Sequence, residues 1–254
     1  MNAVGIIPVR LESSRLPNKA ILDICGLPMF VHTCKRAMLA KTIDEVFLAT
    51  DSYKVAEIAK ENNINVIMTR KEHKNSTERI AEACKKLDCD IIVNIQGDEP
   101  LLYPEHIDQI ISPMLTDSSV QVSIGITPFS KNNSPSDIKT VIDLNNDILF
   151  FSRNDIPLNY KNKINIDNFW KLVFIVPHRK KWVQKYLVWD QTPLELIEDN
   201  HFLRLIEHGV KIKGVEVNGA KISVDTQEDL DEVRALMKID KLKNNYITTG
   251  ENDL

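Results

Sequence analysis

Short apolar runs recur through the first hundred residues, and each is followed by a stretch with helical spacing. Val4-Gly5-Ile6-Ile7-Pro8-Val9, Val46–Ala49, Val66–Met68 and Ile91–Ile95 are almost unbroken apolar segments. Continuous apolarity, rather than alternation, predicts strands covered on both faces, as in a parallel sheet. Between them, Pro28–Ala40, Ser52–Asn62 and Thr77–Leu87 carry apolar residues at helical spacing. The rhythm of strand and helix, repeating at roughly 20–25 residues, is that of a doubly wound, mostly parallel α/β sheet.

The middle of the chain breaks that rhythm. Val120–Ile126 alternates as a half-exposed strand does, and Ser130–Asp137 is a polar loop rich in Asn, Ser and Pro. Thr140–Asp143 and Ile148–Phe151 flank the turn-like Leu144-Asn145-Asn146-Asp147, which predicts a hairpin. A second polar stretch, Asn159–Asn168, precedes the apolar run Leu172–Val176. Residues 120–170 therefore read as a β-rich insertion, either a separate lobe or an arm packing on a second subunit. No linker is long enough for two independent domains, so residues 1–241 are expected to form one. Pro193–Glu207 reads as a helix closed by Gly209, Val210–Val217 as a strand, and Thr226 as the N-cap of a last helix with Asp229 as its partner. Residues 242–254 are polar and aperiodic, which predicts a frayed tail.

Composition removes several function classes. The 254 residues carry 32 Lys+Arg against 36 Asp+Glu, a net charge of −4, so a nucleic-acid partner is not expected. No apolar run reaches the roughly 18–20 residues of a membrane span. The start, Met1-Asn2-Ala3-Val4, has neither the basic nor the long apolar region of a secretory leader, which predicts a cytoplasmic protein. Cys25, Cys34, Cys84 and Cys89 are too few and too scattered for a disulfide scaffold or a zinc knuckle.

Candidate chemistry concentrates where strands end. The first strand runs into Arg10-Leu11-Glu12-Ser13-Ser14-Arg15-Leu16-Pro17-Asn18-Lys19, a loop with three cations. Ligands bind at the carboxyl ends of parallel strands, and cations there suit a polyphosphate through charge-assisted hydrogen bonds. On charge alone, a solvated basic loop fits equally well. Neither GxxxxGK[ST] nor GxGxxG occurs, which removes the main support for a P-loop or dinucleotide fold. The fourth strand ends in Gln96-Gly97-Asp98-Glu99-Pro100, and Asp225 stands between a short apolar run and the last helix. Two such acids plus phosphate oxygens suit Mg²⁺, though Asp225 could equally cap the helix. The segment Met68–Arg79 is rich in hydroxyls and amides able to read a base edge.

Together these segments resemble the 3-deoxy-manno-octulosonate cytidylyltransferases, within the CMP-sugar synthetases. The blocks are IIPVRLESSRLPNKAI (6–21), GLPMFVH (26–32), LATD (48–51), MTRKEHKNSTER (68–79), VNIQGDEP (93–100), FFSRNDIP (150–157), TPLE (192–195) and VDTQEDL (224–230), in family order over roughly residues 4–235. The resemblance implies transfer of CMP from CTP to an acidic sugar, 3-deoxy-manno-octulosonate (Kdo) or a relative, for lipopolysaccharide or capsule. It also implies Mg²⁺ on Asp98 and Asp225, and a homodimer. Arg15, Lys19 and Asp98 would then be catalytic. Pro8, Arg10, Arg15, Lys19, Arg70, His73, Asn75, Ser76, Arg79 and Gln96 would hold the nucleotide. Gln96, Arg153, Lys171, Glu198, His201 and Phe202 would hold the acceptor.

This chain departs from the family pattern at specific positions. Asn18 replaces a usual glycine, which a left-handed backbone tolerates. His73-Lys74-Asn75-Ser76-Thr77 stands for the usual HxSGT. The strand pattern KHIGIYAYR is altered around Lys171, which could meet the sugar carboxylate, and His201-Phe202 replaces a Glu-Gln pair. Those changes alter the pocket's hydrogen-bond inventory, so a different ulosonic or nonulosonic acid is the alternative acceptor. A catalytically silent nucleotide-binding paralogue would have no chemical need to keep Arg15, Lys19, Asp98 and Asp225 together.

Overall fold

The computed structural model describes residues 1–13, 15–130, 133–161, 169–220 and 222–247. The opening apolar run forms β1 (Ala3–Val9), buried along nearly its whole length, and a small two-stranded ribbon follows, β2 (Asp23–Ile24) and β3 (Leu27–Pro28). Helix α1 (Met29–Ala37) leads to β4 (Glu45–Thr50), α2 (Tyr53–Glu61) to β5 (Asn65–Met68), and α3 (Ser76–Ala83) to β6 (Ile91–Ile95). These four strands are parallel, in the order β5-β4-β1-β6. The chain first winds outward from β1 to β5 and then returns to β1's other side. The β1/β6 boundary is thus a topological switch point, where open α/β sheets place their ligands.

Beyond β6 the same ten-stranded sheet turns mostly antiparallel, with only the β12–β7 pair parallel among the described residues. Helix α4 (Pro104–Thr116), which no apolar run in the sequence predicts, crosses to β7 (Val122–Phe129). The hairpin β8 (Lys139–Ile142) and β9 (Ile148–Ser152) is present as expected, and it extends the main sheet through β10 (Phe169–Val173) instead of standing apart. β11 (Ile175–Arg179) lies between β6 and β7, and the following helices are α5 (Lys180–Tyr186), α6 (Pro193–Glu198) and α7 (Leu203–Glu207). β12 (Ile212–Glu216) pairs with β7, and α8 (Gln227–Ile239) follows it.

Four expectations need correction. Val122–Ile126 is buried on both faces, not half-exposed, because β7 lies deep in the sheet with β10, β11 and β12 as neighbours. Leu172–Val176 is two strands broken at Phe174, whose carbonyl accepts a hydrogen bond from the Gln96 N–H at 3.4 Å. Pro193–Glu207 is two helices, because Asp199 adopts left-handed φ 47° and ends α6. The tail begins later than expected: Lys241–Asn245 form a 3-10 turn, and the Tyr246 hydroxyl bonds Arg36 Nε at 3.0 Å and His32 Nδ1 at 2.9 Å. Residues 248–254 lie outside the described residues.

All four cysteines are free thiols. Among the described residues, no helix is long and apolar enough to cross a membrane.

Candidate active site

The loop after β1 is anchored by Leu16, which packs in a buried cluster with Ile24, Met29, Leu101, Val224, Leu230, Val233 and Met237. That cluster ties the basic loop to the segment preceding α8. Asn18 sits at φ 55°, so the amide residue does take the left-handed turn a glycine would make. The turn delivers Lys19 to the switch point. Its ammonium donates to Asp98 Oδ2 at 2.6 Å, Asp225 Oδ1 at 3.1 Å and the Val224 carbonyl at 2.8 Å. Arg15 Nη2 donates to the same Asp225 oxygen at 2.8 Å. Burial works against the Lys19 charge, yet the Asp98 and Asp225 carboxylates outweigh it and hold the pKa above the ordinary lysine value.

The two acids are held by different devices. Asp98 follows Gly97, where a Cβ would lie 2.8 Å from Val9 Cγ2, so β1 and the β6 loop approach as closely as only glycine allows. The Val224 N–H bonds the Asp98 carbonyl at 3.0 Å and fastens the two acidic segments together. Thr226 and Asp229 form the expected capping box on α8. Thr226 does the capping, which frees the Asp225 carboxylate to face the cations.

A cavity of about 410 Å³ opens over this cluster. Its walls include Pro8, Arg10, Arg15, Lys19, His73, Asn75, Ser76, Arg79, Gln96 and Asp98. Asn75 is the N-cap of α3, accepting from the Glu78 N–H at 3.0 Å. Gln96 Nε2 donates to Asn94 Oδ1 at 3.0 Å and Ser76 Oγ at 3.3 Å. Arg79 is nearly buried and spent on Thr69 Oγ1 at 2.5 Å and Asp51 Oδ1 at 3.1 Å. His73 bonds Glu82. Arg70 does not reach the cavity; its guanidinium is exposed and lies 3.6 Å from Glu82.

A second cavity, about 690 Å³, adjoins the first. Arg15, Gln96, Asp98, His201 and Asp225 line both. The second also receives Arg153, Lys171, Phe129, Ile138, Leu172 and Phe174. Lys171 donates to Asp137 at 2.6 Å and lies over the Phe129 ring, 5.0 Å from its centre. Arg153 is clamped by the carbonyls of Glu198 at 2.9 Å, Pro135 at 2.9 Å and Asp199 at 3.0 Å.

Two predicted acceptor residues stand behind this cavity. Glu198 accepts from Ser152 Oγ at 2.9 Å and the Arg153 N–H at 2.8 Å, so it positions the Arg153 segment without lining the cavity. Phe202 is 1% exposed and belongs to the core beneath α7, beside Phe151 and His178. Its neighbour His201 faces the cleft instead. Burial lowers the His201 pKa to about 4, and its Nε2 has no hydrogen-bond partner.

Some participants gave no usable signal in the sequence. Asp137 lay in a polar loop and was indistinguishable there from any solvated acid. Glu195 stood inside the TPLE block without an assigned role, although a buried ion pair with Arg204, 2.6 Å at both oxygens, makes it a structural centre.

A doubly wound sheet with a two-chamber, cation- and carboxylate-lined cleft at its switch point defines a nucleotide-handling α/β protein. A family model described as cytidylyltransferase matches residues 4–212. The chain is 37% identical to the 3-deoxy-manno-octulosonate cytidylyltransferase of Geobacter metallireducens, covering 92% of this chain and 96% of that one. It is 36% identical to the mitochondrial enzyme of that name from Arabidopsis thaliana, over 92% and 83%. Among solved structures, a CMP:2-keto-3-deoxy-manno-octonic acid synthetase complexed with CTP superposes with a TM-score of 0.89 at 35% identity, over 94% and 99% of the two chains. A 4-diphosphocytidyl-2C-methyl-D-erythritol synthase from Anaerococcus prevotii shares the fold alone, with a TM-score of 0.61 at 17% identity. The chain belongs to the cytidylyltransferase family, in its 3-deoxy-manno-octulosonate cytidylyltransferase branch.

Proposed function

We propose that the smaller chamber binds CTP, that the larger binds a 2-keto-3-deoxy acid sugar such as Kdo, and that the enzyme joins them as CMP-sugar with release of pyrophosphate. One observation carries this reading: five residues line both chambers, and two of them, Asp98 and Asp225, converge on Lys19 of the smaller chamber at the junction. Two substrates meeting there would place the α-phosphate beside the cluster. The sugar's anomeric oxygen forms the new bond to the α-phosphorus as the bond to the bridging oxygen breaks. Pyrophosphate leaves with that electron pair, and the hydroxyl proton passes to solvent. Arg15 and Lys19 would bind the triphosphate and offset the charge that grows on it. Asn75, Ser76 and Gln96 would orient the nucleoside, and Arg153 and Lys171 the sugar carboxylate.

Mg²⁺ fits the donor set. Asp98 and Asp225 converge on one ammonium, and Mg²⁺ is commonly held by one or two carboxylates plus substrate phosphates rather than by a protein cage. Among the described residues, no group of three or more His, Cys, Asp or Glu forms such a cage. Bound there, the ion would polarise the phosphate oxygens.

We place the reaction in the cytoplasm, with CTP, and the enzyme as a homodimer joined along the β9 edge of the sheet. Leu144, Leu149, Leu158 and Tyr160, in the hairpin and the segment after it, are all exposed.

The test is pyrophosphate release with CTP and Mg²⁺ against Kdo, 2-keto-3-deoxy-nononic acid and neuraminic acid. Turnover with Kdo supports the proposal. Turnover with another acid alone means that His201 and its surroundings recognise a different sugar. No turnover, with CTP still bound, favours a binding protein.

A further inference from the structure

Behind both chambers lies a buried polar relay whose centre, Tyr186 with Glu195 and Arg204, lines neither chamber. At its base, the Arg204 guanidinium and the Glu195 carboxylate form a two-point ion pair, 2.6 Å at each oxygen, at 2% and 4% exposure. Arg204 also donates to the carbonyls of Tyr186 at 3.3 Å and Trp189 at 3.1 Å, and stacks 3.9 Å from the centre of the Tyr186 ring. The fixed ring presents its hydroxyl to three groups. It accepts from Asn75 Nδ2 at 3.3 Å, and it lies 3.3 Å from Glu195 Oε1 and 3.4 Å from the His201 carbonyl, one of which accepts its single O–H hydrogen bond.

The two ends of the relay open into different places. Asn75 lines only the smaller chamber of the pair and caps α3, whereas His201 lines both. Tyr186 lines neither and is 1% exposed. A buried ion pair adds little net stability over an apolar pair of similar size, and its best-attested use is to enforce one arrangement.

We propose that Tyr186 is a positioning residue that couples the two chambers: on a ring held by Arg204, its hydroxyl accepts from Asn75 on the nucleotide side and donates to the His201 carbonyl on the sugar side. The inference rests on the assignment of CTP and sugar to the two chambers. It extends that assignment by making occupancy of one chamber favour the other.

The test uses Tyr186→Phe in the full chain. It combines the CTP dissociation constant from calorimetry without sugar, KM for Kdo at saturating CTP, kcat, and Tm. Loss of one connecting hydrogen bond on each side is expected to raise both constants about fivefold, with kcat changed less than either. A tyrosine that only supports the fold would lower Tm and the active fraction while leaving both constants unmoved, and that result overturns the proposal. Asn75→Ala gives an independent reading should the tyrosine variant fail to fold. It cuts the link from the nucleotide side, so KM for Kdo at saturating CTP must rise although Asn75 does not line the sugar chamber. An unchanged KM overturns the relay. Wild-type calorimetry separates the two failures. Absence of CTP binding overturns the assignment of the chambers and the relay with it, whereas CTP binding with unmoved constants in the variants overturns the relay alone.

Discussion

At the residue scale, Lys19 is the point where opposed charges are balanced. Asp98 and Asp225 both reach its ammonium, so Lys19→Met strips that cation from Asp98, leaves Asp225 with Arg15, and removes a cation from the triphosphate. Pyrophosphate release should fall by about 10²–10³ in kcat, the usual scale for losing one electrostatic contact to a reacting group. His178 presents the opposite case. It is 2% exposed, neither ring nitrogen has a partner, and burial lowers its pKa to about 3. The folded state therefore disfavours the proton that the unfolded chain binds below about pH 6.5. The resulting stability is present above about pH 6.5 and is lost as pH falls toward 3. His178→Leu should match wild type within about 1 kcal/mol at pH 7. Acidification to pH 5 should cost the variant about 2 kcal/mol less than wild type, read from urea unfolding at the two pH values. A variant that lost as much as wild type on acidification would place the proton elsewhere. Single residues were legible where chemistry and position coincide: Arg15, Lys19, Asp98 and Asp225 converge as their strand-end placement suggested. His201 and Phe202 show the limit. They are adjacent in sequence, yet one faces the cleft and the other the core, and composition alone does not say which.

At the element scale, the signals that survived are those written in local backbone chemistry. The capping box at Thr226, the α3 start and the β8–β9 hairpin all rest on short-range hydrogen bonds that the sequence spells out. The misread elements are those whose ends are set by distant partners. Leu172–Val176 is uniformly apolar, and only pairing of β10 with β7 and β11 with β6 divides it. In Pro193–Glu207 the helical spacing runs unbroken through Asp199, whose left-handed turn gives α6 and α7 separate directions. Thr226→Ala tests the link between a local signal and the site. Losing the cap should cost about 1 kcal/mol in urea unfolding. Because Asp225 is the residue before that cap, the variant should also bind CTP–Mg²⁺ more weakly. Weaker folding with unchanged CTP binding would mean that Asp225 is held by Lys19 and Arg15 alone.

At the scale of the whole molecule, the parallel half of the sheet and its switch point follow from the βαβ rhythm, whereas the placement of the middle segment does not. The hairpin could have been a detached lobe; instead it continues the sheet and leaves β9 as its last strand. A terminal strand exposes unpaired backbone groups and is normally shielded by charge, proline or a covering element. Here the strand carries Leu149, 56% exposed, with Leu144 at its turn fully open to solvent and Leu158 and Tyr160 shortly after it. β12 bridges the turn at Asp147, just ahead of β9, but the apolar side chains beyond it are the reverse of that protection, which is why the proposed homodimer is placed there. Sedimentation velocity at micromolar concentration should give a dimer for the wild type and a monomer for Leu149→Lys, since a buried ammonium without a partner is strongly unfavourable. Each chain contains both of its chambers, so the monomeric variant should keep its KM for CTP and lose mainly thermal stability. A variant that remained dimeric would move the interface elsewhere on the chain. A monomer with a raised KM for CTP would mean that the partner subunit supports the nucleotide chamber.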